Sequence, residues 1–119
     1  MGRRSRRRAA EKAPASDYAD AEGNVLTLRG SLTAGSRRAY AEALAGAGAP
    51  AASREDSYQR AFELLFERLA VRWVISGVPV ERQRELLARL RMASPEEREW
   101  LRETLRAHCA EHFSELPAP

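Results

Sequence analysis

The apolar positions of residues 54–116 recur at helical spacing. The longest stripe, at steps of three and four residues, consists of Tyr58, Phe62, Leu65, Leu69, Trp73 and Ser76. Ser53, with Asp56 three residues later, resembles a capping box and marks the start of this helix. Gly77 suits the left-handed position after a helix, and Pro79 cannot continue one. The pattern therefore predicts a central helix that ends near Ser76.

Two more helices are predicted after this central one. The first runs from about Val80 to Met92, and its inner face consists of Val80, Leu86, Leu87 and Leu90. The second opens with Ser94 as N-cap and Glu97 as the other half of a capping box, and it reaches about Leu116. Residues 54–116 are thus expected to form a compact bundle of three helices.

The N-terminal half contains one strand signal and a short helix. Val25 to Arg29 is β-prone, and Leu26 and Leu28 share a face by alternation. Tyr18-Ala19 is placed to pair back across the turn at residues 22–24. Thr33 or Ser36 can cap a helix over residues 33–46, before a linker that ends at Ala52. Two strands alone are only marginally stable in water, so the hairpin is expected to pack against the helices or against another chain.

These elements predict an all-α fold: a small three- to four-helix bundle with a short N-terminal β-hairpin and a disordered basic N-terminal arm. The segments are residues 1–16 (arm), 17–52 (hairpin, small helix and linker) and 53–119 (bundle). Most large apolar residues follow residue 57, so the core is that of a domain of roughly 65 residues. Such a core is marginal alone, which favours a protein partner or a homo-oligomer.

Charge separates the arm from the body. Residues 1–12 carry Arg3, Arg4, Arg6, Arg7, Arg8 and Lys12 against Glu11, a net +5, while the remainder has 14 basic and 16 acidic side chains, a net −2. The arm is either an electrostatic contact for nucleic acid or a solvated tail. A body without net positive charge is a poor surface for duplex binding, because phosphate neutralisation supplies most non-specific affinity.

The string from His108 to His112 is the one candidate for metal chemistry. Two histidines four residues apart stand on one helical face, and H-x-x-E-H resembles the inverted zinc-peptidase pattern. That resemblance implies His108 and His112 as metal ligands. The alternatives are two partly buried histidines with hydrogen-bond partners, or an interface that titrates near neutral pH. Cys109, between apolar neighbours on the helix, is expected to be an inert buried thiol.

Other function classes are excluded or disfavoured. If the last two helices formed a helix-turn-helix, the start of the recognition helix would carry Glu96, Glu97 and Glu99. These carboxylates would face the DNA phosphates and be repelled by them. One cysteine excludes an intramolecular disulfide framework. The segment from Leu69 to Val80 is too short to span a bilayer. We expect a cytoplasmic protein that is not an enzyme, has no cofactor and does not bind membranes.

The leading functional prediction is a non-catalytic protein-interaction or adaptor module that self-associates through an apolar helix face. Trp100 lies off the inner stripe of the last helix, beside Thr104, and can mark an interaction surface. The exposed edge expected at Val25, Leu26 and Leu28 is the second candidate surface. The alternatives are a nucleic-acid-associated protein that uses the Arg-rich arm, and a metal-binding protein that uses His108 and His112.

Overall fold

The computed structural model describes residues 14–46 and 53–119 and combines helices with a sheet. The strands are β1 (Ser16–Ala19), β2 (Val25–Leu28), β3 (Ala70–Ile75) and β4 (Val78–Val80). The helices are α1 (Ala34–Leu44), α2 (Arg54–Leu69), α3 (Gln83–Arg91) and α4 (Pro95–His112). The four strands form one antiparallel sheet in the order β1-β2-β3-β4.

The prediction of an all-α bundle is therefore wrong, and the fold is α+β. The predicted N-terminal hairpin is present as β1 and β2, but it is half of a four-stranded sheet. Because β2 pairs with β3, the N-terminal segment and the segment after residue 53 share one sheet. The predicted disordered arm lies outside the described residues, apart from its last three positions.

The error lies at the end of the central helix. α2 ends at Leu69, and the next six residues, AVRWVI, form β3. This run is rich in β-branched and aromatic side chains, which pack well on a pleated surface. Ser76 (φ 50°) and Gly77 (φ 79°) both have positive φ, as a two-residue type I′ hairpin turn requires. The last part of the predicted central helix, residues 70–75, is therefore strand β3, and Ser76 belongs to the hairpin turn.

The helix starts agree with the capping signals. Ser53 and Ser94 each accept a hydrogen bond from the backbone of the third helical residue, and the acidic side chains of Asp56 and Glu97 complete both capping boxes. Of the two predicted caps for α1, Thr33 is the N-cap, and its side chain accepts from the amide of Ser36. α3 starts at Gln83, later than predicted, because the chain up to Val80 belongs to β4.

The helices cover one face of the sheet, and the core lies between the two layers. Tyr18, Leu26 and Trp73 are in register across β1, β2 and β3 and point to this inner face. The buried apolar cluster consists of Leu26, Leu28, Tyr40, Ala61, Phe62, Leu65, Phe66, Leu69, Ala70, Trp73, Leu86, Leu90, Leu101, Leu105, Cys109 and Phe113. An antiparallel sheet with one packed face keeps its other face in water. The two edge strands of the sheet are β1 and β4.

Within residues 14–46 and 53–119, no helix is both long enough and apolar enough to cross a membrane.

Candidate binding groove beside strand β1

The backbone of β1 offers hydrogen-bonding groups on the side away from β2. The amide of Asp20 donates to the carbonyl of Asn24 at 2.9 Å and closes the hairpin. Hydrogen-bonded and non-hydrogen-bonded pairs alternate in antiparallel strands, so Tyr18 and Leu26, two pairs further on, exchange hydrogen bonds. The N–H and C=O groups of Asp17 and Ala19 therefore point outward. Among the described residues, β1 pairs with β2 only.

A groove of about 400 Å³ runs between this free edge and helix α4. We call it the β1–α4 groove, and its lining residues are Asp17, Tyr18, Ala19, Trp100, Glu103, Thr104 and Ala107. Trp100 is half-buried, whereas Thr104 is buried in the wall. The groove thus combines a backbone edge, an indole ring and two carboxylates.

A second cavity of about 410 Å³ adjoins the groove, because Trp100 lines both. It lies where the β1–β2 turn, the β3–β4 turn and the start of α4 meet. We call it the acidic cavity, since its charged lining residues within 14–46 and 53–119 are Asp20, Glu22, Glu96 and Glu97 against Arg89 alone. The Arg89 guanidinium is 2.6 Å from Glu97 and is engaged in that ion pair. Uncompensated carboxylates remain around the cavity, so it favours a cation.

Two carboxyl groups of the acidic cavity are held in the ionised form. Partial burial opposes the ionisation of Asp20, but hydrogen bonds from Asn24 and from the backbone of Glu22 and Gly23 outweigh it and lower its pKa. Burial likewise opposes ionisation of Glu97, and hydrogen bonds from Ser94 and Arg89 again lower the pKa. Both groups carry negative charge at neutral pH.

His108 anchors β1 to α4. It is 0% exposed, its Nδ1 is 2.6 Å from the Tyr18 hydroxyl, and its Nε2 is 2.6 Å from the Arg29 carbonyl. A carbonyl only accepts, so Nε2 carries the proton and Nδ1 accepts from Tyr18. Burial lowers the pKa of His108 and keeps the ring neutral. The contact fixes the distance between the two walls of the groove.

These contacts leave His108 without a free ring nitrogen for a metal. His112 lies beside it, with the ring centroids 4.5 Å apart, and its Nε2 is enclosed with no hydrogen-bond partner in the described structure. Across residues 14–46 and 53–119, no three His, Cys, Asp or Glu side chains are grouped as metal ligands would be. Cys109 is buried, and burial raises its thiol pKa to about 11.

The structure separates the predicted interaction residues into two groups. Trp100 and Thr104 come together in the β1–α4 groove. Leu26 and Leu28 are 0% exposed, because β2 pairs with a strand on each side and is no edge. Val25, on the same strand, is half-buried. The arm residues Arg3, Arg4, Arg6, Arg7 and Arg8 lie outside the described residues.

The sequence interpretation missed the part of the groove contributed by β1. Asp17 and Ala19 supply the outward backbone groups, and Glu103 and Ala107 extend the wall on α4. Glu103 and Ala107 follow Trp100 by three and seven residues, which is the spacing of one helical face. That spacing was a usable signal, whereas the free edge depended on knowing which strands pair.

No family model, no curated protein and no solved structure matches this chain.

Proposed function

We propose that this chain is a non-catalytic protein-interaction module that takes up an extended segment of a protein along β1. The observation that carries the proposal is the outward-facing backbone of Asp17 and Ala19 opposite the wall formed by α4. An extended peptide that joins a free sheet edge gains main-chain hydrogen bonds, and neighbouring side-chain pockets add specificity. The β1–α4 groove supplies both parts.

The wall of the groove supports the same proposal. Trp100 gives a large, rigid contact surface, and tryptophan is enriched among residues that dominate interface energies. Glu103 lies one helical turn away and is exposed on the rim, and Asp17 is exposed on β1. Of the described residues that line the groove, Tyr18 has a base beside its hydroxyl, but that base, His108, is 0% exposed, and the pair anchors β1 to α4.

The groove replaces the apolar helix face that the sequence suggested as the contact surface. The apolar stripes of the helices pack into the core. Among the described residues, the large hydrophobic side chains that are mostly exposed are Val78 and Met92. Val78 is on β4 and Met92 follows α3, so they do not supply the extended apolar stripe of a helix–helix interface.

The nucleic-acid alternative depends on the arm alone. The described residues carry a net charge of −2, and the surface around Trp100 is acidic, which opposes phosphate binding. A salt titration of nucleic-acid binding, with and without residues 2–12, tests this alternative. The metal alternative finds no free nitrogen at His108. A cytoplasmic location belongs to the proposal as well.

A display library of random peptides, selected against the full chain, tests the proposal. Selected peptides are then titrated into the protein while the amide hydrogen exchange of Asp17 and Ala19 is followed by NMR. We expect exchange at both amides to slow on binding, because each N–H acquires an acceptor. Ala19→Pro removes one outward donor and no donor of the β1–β2 ladder, so it should weaken binding at least about tenfold.

Ala19→Ser is the matched control, because it keeps the N–H and adds only one oxygen atom to a side chain that lines the groove. Its affinity for the peptides should stay within about twofold of that of the parent chain. If peptides bind with equal affinity to the Ala19→Pro variant, or leave both amides unprotected, strand addition at β1 is wrong.

A further inference from the structure

The charge around the β1–α4 groove and the acidic cavity selects among extended segments. The two cavities are lined by six carboxylates, those of Asp17, Asp20, Glu22, Glu96, Glu97 and Glu103. Among the residues that the structure describes, Arg89 is the one basic side chain that lines either cavity. The half-buried indole of Trp100 stands between the two, and a guanidinium packs favourably on an indole face. A segment rich in arginine fits this surface best.

The chain itself contains such a segment. Residues 1–12 carry a net +5, and five arginines lie between positions 3 and 8. We propose that the groove and the acidic cavity receive residues 2–12 of a second copy of this chain. The inference rests on the proposed function and names its ligand.

The direction of β1 places the parts of the arm. β1 runs from Ser16 toward the turn at Asp20–Asn24, and the acidic cavity lies at that turn. An occupant antiparallel to β1 therefore enters at the acidic cavity and leaves beside Ser16. In this direction Arg3–Arg8 meet the carboxylates, and the small residues Ala9 and Ala10 follow along β1 beside the α4 wall.

The length of the arm suffices for both contacts. Eleven residues, 2–12, span about 36 Å when extended. The four residues of β1 occupy about 13 Å of that length. The remainder reaches across the acidic cavity.

Local backbone chemistry favours the second copy over the same chain. To pair with its own β1, the arm would reverse through a three-residue loop, Ala13-Pro14-Ala15. Such a loop begins with a residue in the right-handed helical region and ends with one at positive φ. Pro14 disfavours the first condition and an alanine at position 15 disfavours the second. An arm that continues away from β1 meets the groove of another copy instead.

The first test is the solution mass of the full chain and of a chain without residues 2–12, measured by light scattering over a concentration series. We expect a dimer for the full chain and a monomer for the truncated chain. We also expect a synthetic peptide of residues 2–12 to bind the truncated chain and to change its tryptophan fluorescence, through the half-buried Trp100 rather than the buried Trp73. Binding should weaken as salt rises, because it depends on exposed charges.

The second test reverses charge within the surface. Glu96→Lys with Glu103→Lys should raise the dimer dissociation constant at least about tenfold. Glu42→Lys with Glu81→Lys changes the net charge equally at exposed positions that line neither cavity, and should leave the constant unchanged.

A full chain that stays monomeric at high concentration overturns the inference, as does a truncated chain that dimerises equally well. If the full chain is monomeric and resists the peptide while the truncated chain binds it, the arm occupies its own groove, and the second copy is wrong. The proposed function is tested separately. If display-selected peptides still bind at Asp17 and Ala19, the proposed function stands even when the arm does not occupy the groove.

Discussion

The two outer strands of the sheet, β1 and β4, present different edges. In the two-residue β3–β4 hairpin, Ile75 and Val78 flank the turn and form a hydrogen-bonded pair. Pro79, the next residue, therefore faces outward with the nitrogen that has no hydrogen to donate. At the corresponding place on β1, Ala19 keeps its N–H. One edge is blocked by a proline, and the other is open beside a groove.

The difference shows how a small sheet restricts where another strand can add. Unpaired edges invite pairing with other chains, and proline on an edge strand is a common protection. β4 has that protection and is only three residues long. β1 lacks it and instead faces the α4 wall. The open edge is thus the one that has side chains able to select what pairs with it.

A substitution in β2, the strand between β1 and β3, has the largest predicted effect on stability. Leu26 is 0% exposed on the inner face of β2, so Leu26→Ala should lower the free energy of unfolding by about 2–5 kcal/mol. Val25→Ala, on the other face of the same strand, is the control and should cost much less. Urea unfolding followed by circular dichroism measures both. Equal small losses would mean that β2 is not a central strand.

The anchor of the open edge gives the next largest effect. His108→Phe removes a ring that serves both Tyr18 and the Arg29 carbonyl, and it leaves buried polar groups unsatisfied. We expect a loss of about 1–3 kcal/mol. Tyr18→Phe removes only one of the two contacts and should cost less. A loss no larger than that of an exposed substitution would contradict the anchoring role.

The same histidine predicts a pH dependence. Burial lowers the pKa of His108 below its usual 6.5, so the unfolded chain binds the proton first on acidification. The contribution of His108 to stability is complete above pH 6.5 and falls as the pH drops toward its folded-state pKa. Unfolding midpoints from pH 7.5 to 5 measure this loss. The His108→Phe variant should show a smaller loss over that range, and an identical slope would contradict the assignment.

The sequence was most informative where local chemistry decides the structure. The capping boxes at Ser53 and Ser94 depend on residues three positions apart, and both starts were predicted. Burial of Cys109 followed from its apolar neighbours on the helix, and His108, for which partial burial was one of the alternatives, is 0% exposed. Trp100 and Thr104 were named from one helix and do lie in one groove, although Thr104 is buried.

The sequence failed where distant pairing decides. Val71 to Ile75 is apolar enough for a buried helix, and only pairing with β2 shows that it is a strand. The positive-φ turn at Ser76-Gly77 and the β-branched composition were the local signs. Once β3 was assigned to a helix, β2 had no partner on that side. Leu26 and Leu28 were therefore expected at an exposed edge, although they belong to the core.

Moving the edge proline from β4 to β1 tests whether proline decides which edge of the sheet is open. Pro79→Val gives β4 an outward N–H, and in the Ala19→Pro background it leaves β4 as the open edge. We expect Ala19→Pro alone to be mostly monomeric at a concentration where the parent chain is a dimer, and the double variant to self-associate at that concentration, as light scattering would show. Stability should change by only about 0.5 kcal/mol, since both positions are at the surface. A double variant that remains monomeric would mean that Pro79 does not protect β4.

The smallest predicted effect comes from a substitution in the β3–β4 turn, which stiffens the hairpin at the closed edge and does not alter β1, the open edge. Ser76 has φ 50°, and asparagine tolerates this region better than serine, so Ser76→Asn should stabilise the chain by about 0.5 kcal/mol. The bond from the Ser76 amide to the Asn24 side chain involves only the backbone at position 76 and is retained. Gly77→Ala, at φ 79° with open space around the added carbon, should destabilise through the backbone alone. Thermal unfolding gives both signs, and peptide affinity at β1 should be unchanged in either variant. Because Ser76 lines the acidic cavity, a shift in that affinity for Ser76→Asn alone would show that the peptide also contacts the β3–β4 turn. A shift in both variants would show that the open edge depends on the backbone of this hairpin.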